Sequence, residues 1–549
     1  MAESTSGKPA EQQTKKKGMS FGLSALIVGI GLIITKASGL LRDIIVSDRF
    51  GVDPATADIY RDAFTLSFTI PDLFYNLLVG GAIYSTVAPY LSAQLATGNE
   101  KKGVRTVSIF ISVVSVVMIF FCTLGTVFSE QFYSLYALNK NTNPITLQLA
   151  AQASKLLFPQ IFFIMLAALC NGVLNSYRRF TITSFGPVIY NILVLAAIAV
   201  FGGQTQQRLM MTTGGILVSA IIYFICQYFF GFKQMKQFRF NFNPVDKEFI
   251  ALFKRAIPIL ISASITQINI VVLNFFANSF DKGSIYGYRN ASTIWQIPYS
   301  VFVVAITTVM TPQLAGDYGS NKMEDCSKLL SKSMKNALFL SIPSAAFIAV
   351  MNLDVVKAIY QWSSRYTDKN ANTAAVFLLG FSSAIITAAV IHVFNQAFYA
   401  IGQTRIPLLA GIVGLVLNPI FCILFINLGI GPLSLSFAYS ATNFCQMILL
   451  SVLYCKRKEL APHGIVNFLI KSFIAAGVMA AVCFFFDKFL PGQGRKIQQL
   501  MIFGAKGVTA VIIYFLIAIL LKMEEANFWI KKFKGRLGRG TKKTASTDN

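Results

Sequence analysis

The chain is 549 residues long, 55% hydrophobic and only 13% charged, and it carries 49 Phe; its mean hydropathy is +0.60. This balance excludes a soluble globular core and describes a polytopic membrane protein. The formal charge of +25, from 48 basic against 23 acidic residues, would also suit a nucleic-acid partner, but the placement of the basic residues argues against one.

In chain order, Met1 to Ser20 form a polar tail with Lys15, Lys16 and Lys17. The apolar run that follows holds Lys36 and Arg42 and ends without a small-residue cleavage site, so it reads as a retained helix and not a signal peptide. Runs of about 20 apolar residues span a bilayer. On that basis helices fall near 20–47, 60–95, 103–129, 147–176, 181–202, 208–231 and 249–279. They continue near 284–315, 327–352, 371–401, 405–427, 431–455, 464–489 and 498–521. The fold class is all-α, with about fourteen transmembrane helices.

With the N-terminus inside, the inward segments hold most of the basic residues: Lys101, Lys102, Arg105, Arg178, Arg179, the run from Lys233 to Arg255, Lys322 to Lys335, Arg405, Lys456 to Lys458, and the tail from Lys531 to Lys543. The outward loops hold roughly a third as many. This bias sets both termini in the cytoplasm. The basic excess then follows from topology and anionic headgroups, and no nucleic-acid partner is expected.

The first two spans contain Lys36, Arg42, Asp43, Arg61, Asp62 and Asp72. A charge at the bilayer centre costs at least about 2.5–3.5 kcal/mol, so such residues face a bundle interior or a wet cavity. Lys155, Lys471 and Lys506 sit where they can snorkel to an interface. His392 reads as a hydrogen-bonded interior residue, and Trp295 as packing. The eight Cys are scattered without a CxxC, so no disulfide framework, metal or cofactor is expected. No GxxxxGK[ST] loop and no catalytic constellation is present, which points to a transporter and not an enzyme or a primary ATPase.

Two segments resemble each other. Tyr60-Arg61-Asp62-Ala63-Phe64-Thr65 leads to Ile70-Pro71 and Pro89; Tyr288-Arg289-Asn290-Ala291-Ser292-Thr293 leads to Ile297-Pro298 and Pro312. A weaker pair, around Asn171 and Asn395, has the same offset of about 225 residues, as a duplicated unit would. The expected organisation is a tail over 1–19, a first lobe over 20–231, a second lobe over 232–456, an appended helix pair over 457–522 and a basic tail over 523–549. Like-oriented lobes imply a central cavity and rocking-type alternating access.

Gly39-Leu40-Leu41-Arg42-Asp43, Phe50-Gly51, Asp62-Ala63-Phe64, Ile70-Pro71-Asp72-Leu73 and Gly81-Ala82-Ile83 resemble the MurJ (MviN) family of lipid II flippases, within the superfamily of multidrug and polysaccharide exporters. Ile297-Pro298, Val301-Phe302, Pro312-Gln313-Leu314-Ala315 and Ala397-Phe398-Tyr399-Ala400 extend the resemblance over both lobes. It implies export of the undecaprenyl-pyrophosphate-linked peptidoglycan precursor from the cytoplasmic to the outer leaflet of a bacterial plasma membrane. The implied partners are that lipid-linked substrate, the bilayer and other cell-wall synthesis proteins, with the chain acting as a monomer. The chain also departs from the family. Lys36 stands where the family commonly has Arg, the family's basic pair falls on Tyr75 and Asn76, and its usual eighth-helix Arg falls near Thr293. Helices 7 to 12 offer Asn269, Asn274, Asn418 and Asn443 but no well-placed carboxylate for a cation.

The expected substrate-binding residues are Lys36, Arg42, Arg61, Asp62 and Arg289, the cations gripping the pyrophosphate and Asp62, with Asp43, orienting them. The competing reading pairs Arg42 with Asp62 and Arg61 with Asp58 as structural ion pairs. Three functions stay open: a lipid-linked oligosaccharide flippase, a small-molecule antiporter of the same superfamily, and a polyprenyl-phosphate transferase. In the appended pair, Ala475-Ala476-Gly477 and Ala480-Ala481 with Phe473, Phe484, Phe485 and Phe486 mark either a lipid-tail groove or tight helix packing.

Overall fold

In lipid every backbone N–H and C=O must be paired within the chain, and a helix does this segment by segment. The computed structural model describes residues 37–53, 55–78, 87–138, 143–177, 179–277, 280–489 and 496–530, and contains no strand among them. Lys36 lies outside the described residues, as does Gly81-Ala82-Ile83.

The helices are α1 (37–49), α2 (Ala57–Ser67), α3 (Thr69–Leu78), α4 (Ala88–Ala96), α5 (Glu100–Val127), α6 (Ser129–Ser134), α7 (Pro144–Ser176), α8 (Phe180–Phe201), α9 (Gln206–Phe230) and α10 (Phe232–Met235). They continue with α11 (Lys247–Ala277), α12 (Ser284–Pro298), α13 (Ala305–Gly319), α14 (Met323–Tyr360), α15 (Asp368–Ala400), α16 (Arg405–Asn427), α17 (Leu433–Cys455), α18 (Ile465–Phe489) and α19 (Lys496–Leu520). Among the described residues, ten helical spans are long and apolar enough to cross a membrane, and Phe185–Phe201 and Gln267–Ala277 are shorter apolar stretches.

Two spans are broken where proline dictates. Pro71 cannot donate to Ser67 and its ring crowds that carbonyl, so α2 ends at Ser67 and α3 starts afresh at Thr69. Pro298 ends α12, and the chain passes through a π-helical turn, Tyr299–Val304, before resuming as α13. Such turns concentrate at functional sites in helical proteins.

In the first half, α7 is the hub, packing on α2, α5 and α9. In the second, α15 is the hub, packing on α12, α14 and α17. The halves meet where α11 crosses α3 and where α12 meets α2. The appended α18 and α19 pack on each other and on α14.

The attachment of α19 corrects one expectation. Lys506 does not snorkel: it is 1% exposed, and its Nζ lies 2.7 Å from Asp354 Oδ2 on α14. Removing one member of a buried pair strands the other and typically costs about 3–5 kcal/mol, whereas replacing both by apolar residues is often neutral. Because the Asp354 side chain keeps 25% exposure, the lower end applies. Lys506→Met should therefore lower the thermal unfolding temperature of detergent-solubilised protein, and Lys506→Met with Asp354→Leu should restore most of it. Equal melting of the single variant and the parent would contradict this account of how α19 is held.

Candidate functional site

A helix N-terminus leaves its first N–H groups without intrahelical acceptors. The start of α12 is such a case, because its N-cap residue is Gly283, which has φ +90° and no side chain to accept. The carboxylate of Asp62, on α2, fills the place. Gly283 N donates to Oδ2 at 2.7 Å and Tyr286 N donates to Oδ1 at 2.9 Å. The contact joins the two halves of the chain and sets a carboxylate against the positive end of a helix. Any Cβ at position 283 would meet the Asp58 carboxyl carbon at 2.9 Å, so glycine is needed for space as well as for φ.

Arg61, the preceding residue, completes the clasp and is fully buried. Its Nη2 donates to Ser47 O at 2.6 Å and Arg365 O at 2.8 Å, and its Nη1 donates to Asn370 Oδ1 at 3.1 Å. Gly51 makes room for it, since a Cβ there would collide with the guanidinium. Asn370 belongs to the capping box that starts α15 with Thr367, and its Nδ2 donates to Asp58 Oδ1 at 2.9 Å. Arg365 reaches back to Asp48 at 3.0 Å. Tyr286 Oη donates to the Asp43 carbonyl at 2.8 Å.

Immediately beyond the clasp lies a cavity of about 580 Å³. Its wall comes from α2 and α3 (Thr65, Phe68, Asp72), α11 (Gln267, Asn274) and α12 (Arg289), then from α15, α16 and α17. Arg289 stands over the ring of Phe68, 5.9 Å from its centroid. Its guanidinium makes no ion pair or hydrogen bond among the described residues. Further along, His392 bridges the two sides of the π-helical turn, with Nδ1 2.9 Å from Tyr299 Oη and Nε2 3.1 Å from Thr307 Oγ1. No group of His, Cys, Asp and Glu that could hold a metal occurs among the described residues.

Of the cations expected to bind substrate, Lys36 lies outside the described residues, and Arg289 lines the cavity. Arg61 is instead sealed in the clasp by protein carbonyls, and Asp62 is committed to α12. Arg42 is not among the lining residues. Its Nε lies 2.9 Å and its Nη2 2.8 Å from Asp43 Oδ1, with a third of the side chain exposed. The anticipated pairing of Arg42 with Asp62 is thus replaced by one with Asp43. The Arg61–Asp58 pair exists only at 3.8 Å, weaker than the carbonyl contacts. Lys155 pairs with Glu130 at 2.7 Å. Asn418 Nδ2 donates to Asn269 Oδ1 at 3.1 Å, and Asn274 Nδ2 to the hydroxyl of Thr69 at 2.9 Å. Sequence reasoning missed Asp48, Arg365 and Asn370, whose roles depend on loops meeting across the two halves.

The profile of the family described as lipid II flippase MurJ matches residues 50–504. A probable lipid II flippase MurJ of Buchnera aphidicola subsp. Acyrthosiphon pisum (strain APS) is 25% identical over 462 residues, 83% of this chain and 88% of that protein. One of Rickettsia prowazekii (strain Madrid E) is 24% identical over 517 residues, 92% and 98%. A lipid II flippase MurJ in an inward closed conformation superposes with TM-score 0.73 at 21% identity, covering 90% of this chain and 99% of that one. An inward-facing multidrug resistance MATE family transporter superposes at 0.64 with 15% identity, covering 79% and 98%; at these identities both likenesses speak to fold alone. The matched stretch runs from Phe50 into α19 and takes in Arg61, Asp62, the cavity and the second half: the chain belongs to the lipid II flippase MurJ family.

Proposed function

We propose that this protein translocates lipid II across the bacterial plasma membrane, from the cytoplasmic to the outer leaflet, as a transporter without catalytic chemistry. The observation that carries the site assignment is Arg289, a guanidinium inside a membrane-spanning bundle that lines a cavity with no protein acceptor among the described residues. A planar fork of donors left open in such a place suits a doubly anionic pyrophosphate. Arg42 is close enough to interact electrostatically with Arg289 and supplies the second cation, oriented by Asp43. Lys36 is assigned the same role from the sequence.

The bias of basic residues along the sequence supports an orientation with the clasp on the outer side and both termini in the cytoplasm. The state described is then closed outwards, and release requires the Asp62, Arg61 and Arg365 contacts to part as the lobes over 20–231 and 232–456 rock. Because the pathway lies between two halves of one chain, a monomer suffices; other cell-wall synthesis proteins would be suppliers or receivers of the lipid. An antiporter for cationic drugs would place a carboxylate without an accompanying guanidinium in the cavity, which is not the arrangement found.

The polyprenyl tail stays in hydrocarbon while the head crosses, and the wall formed by α18 and α19 over 457–522 is assigned to it. A Cβ at Gly477 would meet nothing within 4 Å, which favours an open groove over tight packing there. Phe473, Phe484 and Phe485 are exposed.

Two measurements check this reading. Arg289→Gln should slow flipping of fluorescent lipid II in proteoliposomes by about 10- to 100-fold, the equivalent of a charge-assisted hydrogen bond worth about 1.5–3 kcal/mol, with unchanged membrane insertion. An unchanged rate would remove Arg289 from the pathway. Gly477→Phe should keep folded protein and the transport of short-chain analogues while impairing long-chain lipid II; equal loss on both would sink the groove.

A further inference from the structure

The cavity contains one carboxylate that neither the clasp nor the proposed grip on pyrophosphate uses. Asp72 lies on α3 one helical turn after Phe68, the ring over which Arg289 stands. Residues four apart share a helix face, and both Phe68 and Asp72 line the cavity. The Asp72 carboxylate is exposed to it and makes no ion pair or hydrogen bond among the described residues. It interacts electrostatically with Arg289 and with Arg42. An acid with no direct partner among the described residues, within electrostatic range of the two cations assigned to an anionic substrate, can serve as their counter-ion when the site is empty.

We infer that Asp72 is a proton-accepting competitor of the substrate, holding Arg289 and Arg42 neutralised in the empty cavity and taking up a proton when the pyrophosphate displaces it. This rests on the assignment of Arg289 as a pyrophosphate contact. Charge balance motivates it. The described charges Arg42, Asp43, Arg289 and Asp72 sum to zero and Lys36 adds one, so a doubly negative diphosphate diester entering unaccompanied would leave the site with a net negative charge in a low-dielectric surround. Two like charges sharing one site raise the proton affinity of the weaker acid, and here that acid is Asp72. The proton comes from the water filling the open cavity and returns to water when the carboxylate regains its place and expels the lipid headgroup.

The other elements around Asp72 supply no rival for the proton in the neutral range. Among the described residues, besides Arg289 of α12 and Arg42 of α1, the titratable groups in electrostatic range of Asp72 are the phenols Tyr133 of α6 and Tyr190 of α8. The polar side chains that α7 and α11 bring nearby, Gln160, Gln267 and Asn274, are neutral. His392 lines the same cavity but is engaged by Tyr299 and Thr307.

The sign of the pH dependence follows. A group ionised in the empty protein and protonated in the complex makes binding tighten as pH falls, tenfold per pH unit for one proton, until Asp72 is protonated in both states. The test is calorimetric titration of the full chain in nanodiscs with short-chain lipid II, in buffers of differing ionisation enthalpy. Parent protein should take up about one proton per lipid bound. Asp72→Asn, a mimic of the protonated acid, should bind more tightly with no pH slope and no proton uptake, yet turn over more slowly because the product is no longer displaced. Asp72→Glu should keep the slope. Zero proton uptake by the parent, or an unaltered slope in Asp72→Asn, overturns the inference while leaving lipid II binding intact. If Arg289→Gln binds the lipid as the parent does, the underlying assignment fails instead, and this inference falls with it.

Discussion

The start of α12 lacks a cap of its own, and the carboxylate of Asp62 supplies it from the other half of the chain. Much else follows from that one contact. It fixes where α2 meets α12, and hence that Phe68 on the first half faces Arg289 on the second. It closes one end of the cavity with protein hydrogen bonds, so the site communicates with water elsewhere. Beside it Arg61 is buried, its guanidinium satisfied by acceptors from α1 and from around the start of α15.

Two roles are divided between neighbouring charges. Arg61 and Asp62, adjacent in sequence, lock the halves together, whereas Arg289 and Asp72 face the space the lock encloses. Arg61 with Asp62, and Arg289, come from the two segments that resemble each other, Tyr60 to Thr65 and Tyr288 to Thr293, whereas Asp72 lies beyond the first. The same helical position thus carries a sealed guanidinium in the first copy and an open one in the second.

Long apolar spans were legible because a bilayer demands them, but the breaks after Ser67 and Pro298 fall inside stretches that read as continuous, near 60–95 and 284–315. Membership of the family was legible from motifs whose order is preserved. The assignment of individual charges was not. Asp62 finds its partners in backbone amides 221 and 224 residues away, and a backbone donor leaves no side-chain signature to read. Arg61 has an acid at i−3 that suggests a simple pair, yet its short contacts are to the carbonyls of Ser47 and Arg365. Lys506 resembled a snorkelling residue because its partner, Asp354, lies 152 residues earlier on another helix. In each case the decisive partner is distant in the chain and chemically ordinary.

The claim that the Asp62 cap holds the halves closed is tested most directly by a distance measured across it. Spin labels at Val52 and Lys369, exposed positions beside the clasp on the two halves, should give one short, narrow distribution in substrate-free protein on a cysteine-free background. In Asp62→Ala the same pair should shift to a longer and broader distribution, as the start of α12 loses its acceptor and the halves part. An unchanged short distance in that variant would contradict the account.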